Sequence, residues 1–494
     1  MMIGPAAFRR LSCLKNHLQF SKRTLRVGAS QIHGDAQGVR WLQPAGAGAR
    51  RMELAHRIGL LHFPVCITVH TAEPLKTDDL RKALVHLYNK IQTLRTCYRY
   101  RQGELWVCEM ERREIDFQEV SGNNFNEALT ALMNCKYTNN ENGPLWRVRL
   151  MREEESTSED EKTPGFPHQS TLMISLHHGI TDGNASFNIC ITLLRILEKV
   201  IAGGFIDDEE QLGVIAGDEQ TNTLKKEIQK HFEKHPGELE DFCQRNLQSE
   251  FTSLFQKAFG YPEDPKPTTR YLISNLKATT LKKFLEKCKS ATVTFNSGFV
   301  LAINTALVEL AREAGIAEDA ISIRSKHTIN LRRYWEKQKN FSFGCHIGRM
   351  LQTTDTSPYN KDTFWDHAKK LDLQMREKVK TMYALREEVA KEMKNITEPT
   401  LSRDEPVQVD CDYSISNAFI PGDFDLWQDH KHIRGSRILS FIQMELTQNT
   451  TFHLIASASG RMNYTISYST WHITDENALR FMKKVEQIVE DLSN

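Results

Sequence analysis

Ser175-Leu176-His177-His178-Gly179-Ile180-Thr181-Asp182-Gly183 follows an apolar run from Thr171 to Leu176 and precedes a helix-forming run from Ala185. The pattern reads as a strand, a sharp turn and a helix. A histidine at such a turn can be presented to a cavity, and its near-neutral pKa makes it the commonest general base. Gly179 eases the turn. Asp182 is too close in sequence to be assigned automatically as the acid of a triad. Its carboxylate can instead hold the loop through backbone N–H groups or a distant arginine, because a buried ionised Asp needs such a partner. Imidazole and carboxylate are also zinc ligands. Adjacent strand residues face opposite sides, however, so His177 and His178 do not easily share one ion, and no further ligand is offered nearby. On these residues alone, catalysis and a satisfied core pair both stay open.

Working outward, the strand from Thr171 to His177 is expected to pair antiparallel with Leu145 to Met151, across an acidic, Ser/Thr-rich loop over 152–168. Upstream, 61–69, 96–101 and 104–109 read as strands, and 75–91 carries Leu80, Ala83, Leu84, Leu87 and Ile91 at helical spacing. Downstream, Phe187, Cys190, Leu193, Leu194 and Leu197 trace one helix face, stopped at Gly203-Gly204. Residues 205–268 are charged and predict a crossover with a helical middle from Leu224 to Phe259. Beyond it come strands near 270–276, 321–331, 346–352, 451–457 and 462–468, with helices at 280–289, 294–313, 363–393 and 475–492. The expected organisation is a basic N-terminal segment over 1–38, a first domain over 39–204, the crossover over 205–268 and a second domain over 269–494. Each domain mixes a β-sheet with flanking helices, which makes the class α/β in the broad, α+β sense.

Composition excludes several functions. The chain has 494 residues, 40% of them apolar, and 64 basic against 63 acidic side chains give a net charge of +1. That balance argues against nucleic-acid binding. The mean hydropathy is −0.48, and no apolar run approaches the ~20 residues of a transmembrane helix. The ten cysteines are scattered without a Cys-x-x-Cys pair, which argues against structural zinc and a disulfide scaffold and for a reducing, cytoplasmic setting. Residues 1–34 hold Arg9, Arg10, Lys15, Lys22, Arg23 and Arg26 with no acid before Asp35. That stretch also fits a mitochondrial transit peptide, or an unstructured basic tail. A monomer is expected.

His177-His178-x-x-x-Asp182-Gly183 resembles the HHxxxDG motif of the CoA-dependent acyltransferase superfamily, which includes chloramphenicol acetyltransferase, condensation domains and alcohol acetyltransferases. Other segments resemble that superfamily in the expected order: Leu94-Arg95, Gly143-Pro144-Leu145-Trp146, Thr292-Val293-Thr294, Asn330-Leu331-Arg332 followed by Phe343-Gly344, and Ser416-Asn417. The resemblance covers roughly residues 39–494. It implies two chloramphenicol acetyltransferase-like domains with a tunnel between them. It also implies His178 as general base, Asp182 holding the loop by pairing with Arg332, His177 in a supporting role, and Gly183 leaving room for close backbone packing. Asn417 would donate to a developing oxyanion or order the sheet crossover. The implied substrates are an acyl-CoA donor, as co-substrate rather than bound cofactor, and a small alcohol or amine acceptor, with no metal. The pattern departs at Ala418-Phe419, where a glycine is common, and Gly422-Asp423-Phe424 is only a faint echo of a plant motif. No carrier or adenylation segment is apparent, so free acyl-CoA is the expected donor. A condensation-type enzyme with a carrier-bound donor, a thioester hydrolase and a non-catalytic ligand-binding relative are the alternatives.

Overall fold

A computed structural model describes residues 39–57, 63–110, 113–120, 124–135, 143–152, 164–247, 251–263, 268–336, 341–396, 409–417, 430–444, 450–458 and 462–494. The N-terminal segment 1–38, Ala418-Phe419 and Gly422-Asp423-Phe424 lie outside the described residues.

The first half opens with strand β1 (Val39–Pro44) and helix Ala47–Arg57. It continues with β2 (Phe63–Thr71), helix Thr77–Lys90, β3 (Thr96–Arg101), β4 (Glu104–Met110), β5 (Asp116–Val120), helix Phe125–Asn134, β6 (Trp146–Arg152) and β7 (His168–Leu176). Strands β6 and β7 pair antiparallel, with Trp146 opposite Leu176. After the turn comes helix Gly183–Ile201. Its buried Phe187, Cys190, Leu193 and Leu197 join Leu84 and Leu87 of helix Thr77–Lys90 over Val65, Ile67 and Ile174 of the sheet. This is an amphipathic stripe docked on a sheet face, and burial of such apolar area is the main force holding the motif turn in place.

The crossover departs from a single helical middle. After the short strand β8 (Val214–Ile215) it forms three helices, Glu219–Lys234, Pro236–Asn246 and Leu254–Phe259. Pro236 has no N–H to donate and opens a helix readily, but it cannot continue the one before it.

The second half contributes β9 (Thr269–Leu276), β10 (Ile321–Asn330), β11 (Ser342–Phe343), β12 (Ile347–Thr356), β13 (Cys411–Asn417), β14 (Ile433–Ser440), β15 (Thr450–Ala458) and β16 (Met462–Ser469). Six of them form one sheet in the order β12-β10-β13-β15-β16-β9. Helix Phe295–Glu313 is buried nearly all round beneath it, beside helix Asp475–Ser493. Among the described residues no single helix is long and apolar enough to cross a membrane; the pair Thr279–Ser290 and Phe295–Glu313 passes such a test only together, bent by 107°.

Strand β14 crosses the expected division at 268/269. It pairs antiparallel with β2, Ile438 opposite Ile67, and so completes the first sheet in the order β14-β2-β7-β6-β5. The segment 269–494 is therefore not one body in space. The chain leaves the second sheet after β13, adds an edge strand to the first, and returns as β15. Phe343, Cys345 and Ile455 likewise sit in the first core.

Candidate active site

The turn after β7 lies where the two halves meet. His177 and His178 are adjacent, yet their rings are claimed from different directions. The His177 Nε2 lies 2.9 Å from Glu53 Oε2, its Nδ1 accepts from the Gly179 N–H at 2.9 Å, and its ring stacks on His56 at 3.8 Å. Its own N–H donates to the Leu145 carbonyl at 2.8 Å, which ties the Gly143-Pro144-Leu145-Trp146 segment to the motif. Glu53 is anchored in turn by Arg57 at 2.8 Å. Burial would raise the Glu53 carboxyl, but His177 and Arg57 outweigh it and hold it below the usual range.

His178 is 7% exposed. Its Nδ1 lies 2.9 Å from the Thr181 carbonyl, and a carbonyl can only accept, so Nδ1 carries the hydrogen and Nε2 the lone pair. The Cys345 sulfur is 3.6 Å from Nδ1, and the Phe63 ring packs at 5.2 Å. Burial pushes this imidazole below its ordinary value, although the Asp182 charge and the local backbone pull it up. The ring is therefore neutral at pH 7, with one nitrogen able to take a proton.

Asp182 caps helix Gly183–Ile201, accepting from the Ala185 N–H at 3.1 Å. Its other oxygen accepts from Arg332 Nη1 at 2.6 Å and from the His346 N–H at 3.0 Å. Arg332 also donates to the Ser342 and Gly344 carbonyls at 2.8 and 2.9 Å. The structure thus joins Asp182 and Arg332 in one network that bridges the two halves, with every oxygen of the carboxylate engaged.

The close packing expected at Gly183 falls at Gly179 instead. A Cβ on Gly183 would meet nothing within 4 Å, so close backbone packing is not what this position supplies. A Cβ on Gly179 would collide with the Tyr98 hydroxyl and crowd His177 at 3.1 Å. Asn417 ends β13 and is exposed, and its amide donates to Asn296 at 3.2 Å rather than joining the Asp182 network.

Several contributors carry no signal in the motif itself. Glu53 and His56 come from helix Ala47–Arg57, which lies outside the expected elements, and Tyr98 from the strand expected over 96–101. His346 lies two residues beyond the Phe343-Gly344 pair. His453, on β15, is buried and held down to about 3 by burial and by the neighbouring Arg349 and His178. Its two nitrogens contact the hydroxyls of Ser414 and Ser416, the latter at 3.2 Å.

No family profile matches the sequence, and no curated protein does. Solved structures do. The condensation domain of the Monacolin K polyketide synthase MokA superposes with a TM-score of 0.65 at 12% identity, covering 92% of this chain and 98% of that one. The trichothecene 15-O-acetyltransferase TRI3 of Fusarium sporotrichioides gives 0.65 at 12%, over 92% and 95%. Polyketide synthase associated protein 5 of Mycobacterium tuberculosis gives 0.58 at 10%, over 92% and 98%. This is the chloramphenicol acetyltransferase-like fold. The likeness covers 92% of the chain in each case. At such low identity it establishes the architecture, and the chemistry has to be argued from the residues.

Proposed function

We propose that the protein is an acyltransferase that moves an acyl group from an acyl-CoA thioester to a hydroxyl or amine acceptor, with His178 as general base. One observation carries this reading: the His178 Nδ1–H is committed to the Thr181 carbonyl at 2.9 Å in a buried setting that keeps the ring neutral. Nε2 then takes the proton of the acceptor as its oxygen or nitrogen attacks the thioester carbonyl. The tetrahedral intermediate collapses by breaking the carbon–sulfur bond, and the proton on Nε2 goes to the leaving thiolate. Such general-base help contributes about a hundred- to ten-thousand-fold. The two substrates would be held between the two sheets, one approaching from each side, and their alignment supplies much of the remainder. Asp182 and Arg332 act as positioning residues that fix the turn, and His177 with Glu53 braces it from behind. The fold likeness to an O-acetyltransferase supports transfer to a hydroxyl in particular.

The test is CoA release from a panel of acyl-CoAs with alcohol and amine acceptors, in the wild type and in His178→Ala. Acceptor-dependent release that drops by about a hundredfold or more in a folded His178→Ala protein is expected. Near-wild-type turnover in the variant removes His178 as the base. Acceptor-independent release indicates a thioester hydrolase, turnover only with carrier-bound thioesters indicates a condensation-type enzyme, and tight binding without release indicates a non-catalytic relative.

A further inference from the structure

The crossover carries a second group of ligating side chains, remote in sequence from the motif. His231 lies in the last turn of helix Glu219–Lys234, His235 follows that helix, and Glu238 lies in the first turn of helix Pro236–Asn246. Each offers one ligand atom, and the three atoms lie within 4.8 Å of one another. The spacing explains the convergence: residues four apart lie on one helix face, and the Pro236 corner folds the next helix back so that Glu238 faces them. The two imidazoles are 4.5 Å apart, and His231 Nε2 is 2.9 Å from Glu238 Oε2.

We propose that His231, His235 and Glu238 bind one divalent transition-metal ion of the zinc class. The tautomer of His235 is already suited to it. Its Nδ1 donates to the His231 carbonyl at 3.0 Å, which leaves Nε2 as the lone-pair nitrogen. Metal-binding histidines are commonly held in this way, with the other ring N–H on a carbonyl. Two imidazoles and one carboxylate, with the remaining position open to water, are a donor set for Zn(II); Ca(II) and Mg(II) prefer oxygen ligands throughout. All three side chains are exposed, so an ion can enter from solvent. Its arrival replaces the hydrogen bond between His231 and Glu238. The hydrogen on His231 Nε2 moves to Nδ1 or to solvent, and Glu238 turns from Arg386, whose Nη2 is 3.7 Å away, toward the metal. The ion would then tie the end of one crossover helix to the start of the next. Beneath that corner Phe232 and Phe242 pack 6.0 Å apart, with Arg386 of helix Tyr383–Met393 over Phe232. Binding to the folded chain alone stabilises it by mass action.

The experiment is a calorimetric titration of the full-length chain with Zn(II), beside His235→Ala, Glu238→Gln and a control, His367→Ala, on another helix. One ion per chain is expected, with affinity unchanged in the control. Losing even an outer hydrogen-bond partner of a ligand costs about 10- to 100-fold in metal affinity, so His235→Ala should weaken binding by at least about tenfold. Co(II) should give visible absorption in the wild type that is lost in His235→Ala. Circular dichroism checks that the variants fold, which their exposed positions favour. Absence of a one-to-one site, or equal affinity in wild type and His235→Ala, overturns the proposal. Neither readout depends on acyl transfer.

Discussion

Two histidine pairs among the described residues, His177/His178 and His231/His235, each have a carboxylate close by and sit in opposite surroundings. At the motif turn, His177, His178 and Asp182 are buried, and each has its partners assigned: Glu53 for His177, the Thr181 carbonyl for His178, Arg332 for Asp182. At the crossover corner, His231, His235 and Glu238 are exposed and turn toward one another. Burial suppresses the charged imidazole in the first case and leaves the His178 Nε2 with its lone pair. Convergence in water leaves the second set suited to share a cation. Residue type therefore does not choose the chemistry. The choice is made by burial and by which atom takes the second ring nitrogen.

The contrast breaks most readily at Asp182. Its removal takes an acceptor from the Ala185 and His346 N–H groups and leaves Arg332 without its carboxylate partner. Breaking a buried pair by deleting one partner costs about 3–5 kcal/mol. Asp182→Ala should therefore lose stability of that order in urea unfolding, and activity with it. Loss of activity at unchanged stability would instead make Asp182 a participant in the chemistry and reverse its assignment as a positioning residue.

The strand, turn and helix around the motif were legible because their periodicities switch from unbroken apolar to helical within a few residues. The antiparallel neighbour of the motif strand was legible for a similar reason, since Leu145 to Met151 alternates. Strand β14 was not. Its sequence, Ile433-Arg434-Gly435-Ser436-Arg437-Ile438-Leu439-Ser440, is half polar, and what makes it a strand is the free edge of β2, a long-range partner that no local pattern reveals. Helix Ala47–Arg57 was missed for a related reason. Glu53 and His56 look like surface residues until the tertiary fold buries them against His177. The pairing of Asp182 with Arg332 came from family resemblance, since 150 residues separate them and spacing could not have chosen that arginine over another.

Glycine substitutions sharpen the same contrast at smaller scale. Gly179→Ala places a methyl group against the Tyr98 hydroxyl and the His177 ring in a packed site. Overpacking of this kind costs about 1–3 kcal/mol, and the shift reaches His178, the next residue. Gly183→Ala adds a methyl group where no atom lies within 4 Å, so its effect on stability should stay within about 0.5 kcal/mol. Thermal denaturation of the two variants side by side decides the matter. Equal destabilisation would mean that the space beside Gly183 is closed in solution, and the turn would need a different account.

The smallest effect, and the most direct reading of burial, is in the pH dependence. An unperturbed imidazole titrates near 6.5, and burial places His178 lower. In the proposed mechanism the neutral form is the base, so acyl transfer should persist as pH falls through 6.5 and decline only below it. The acidic limb of kcat/KM reports this group in the free enzyme. Stability must be followed in parallel, because other buried histidines act in the same window. His327 and His453 are each pushed down to about 3, and His472 to about 4, by burial above all. Unfolded, these rings take up protons as pH falls through 6.5, whereas folded they do not until far lower. The stability they contribute is therefore present above 6.5 and lost progressively below it. Unfolding midpoints at each pH separate loss of fold from protonation of the base. An acidic limb at or above 6.5 in a protein still folded there would mean that the ring meets water freely in the working enzyme, and the distinction between the buried and the exposed pair would fail at the residue on which it matters most.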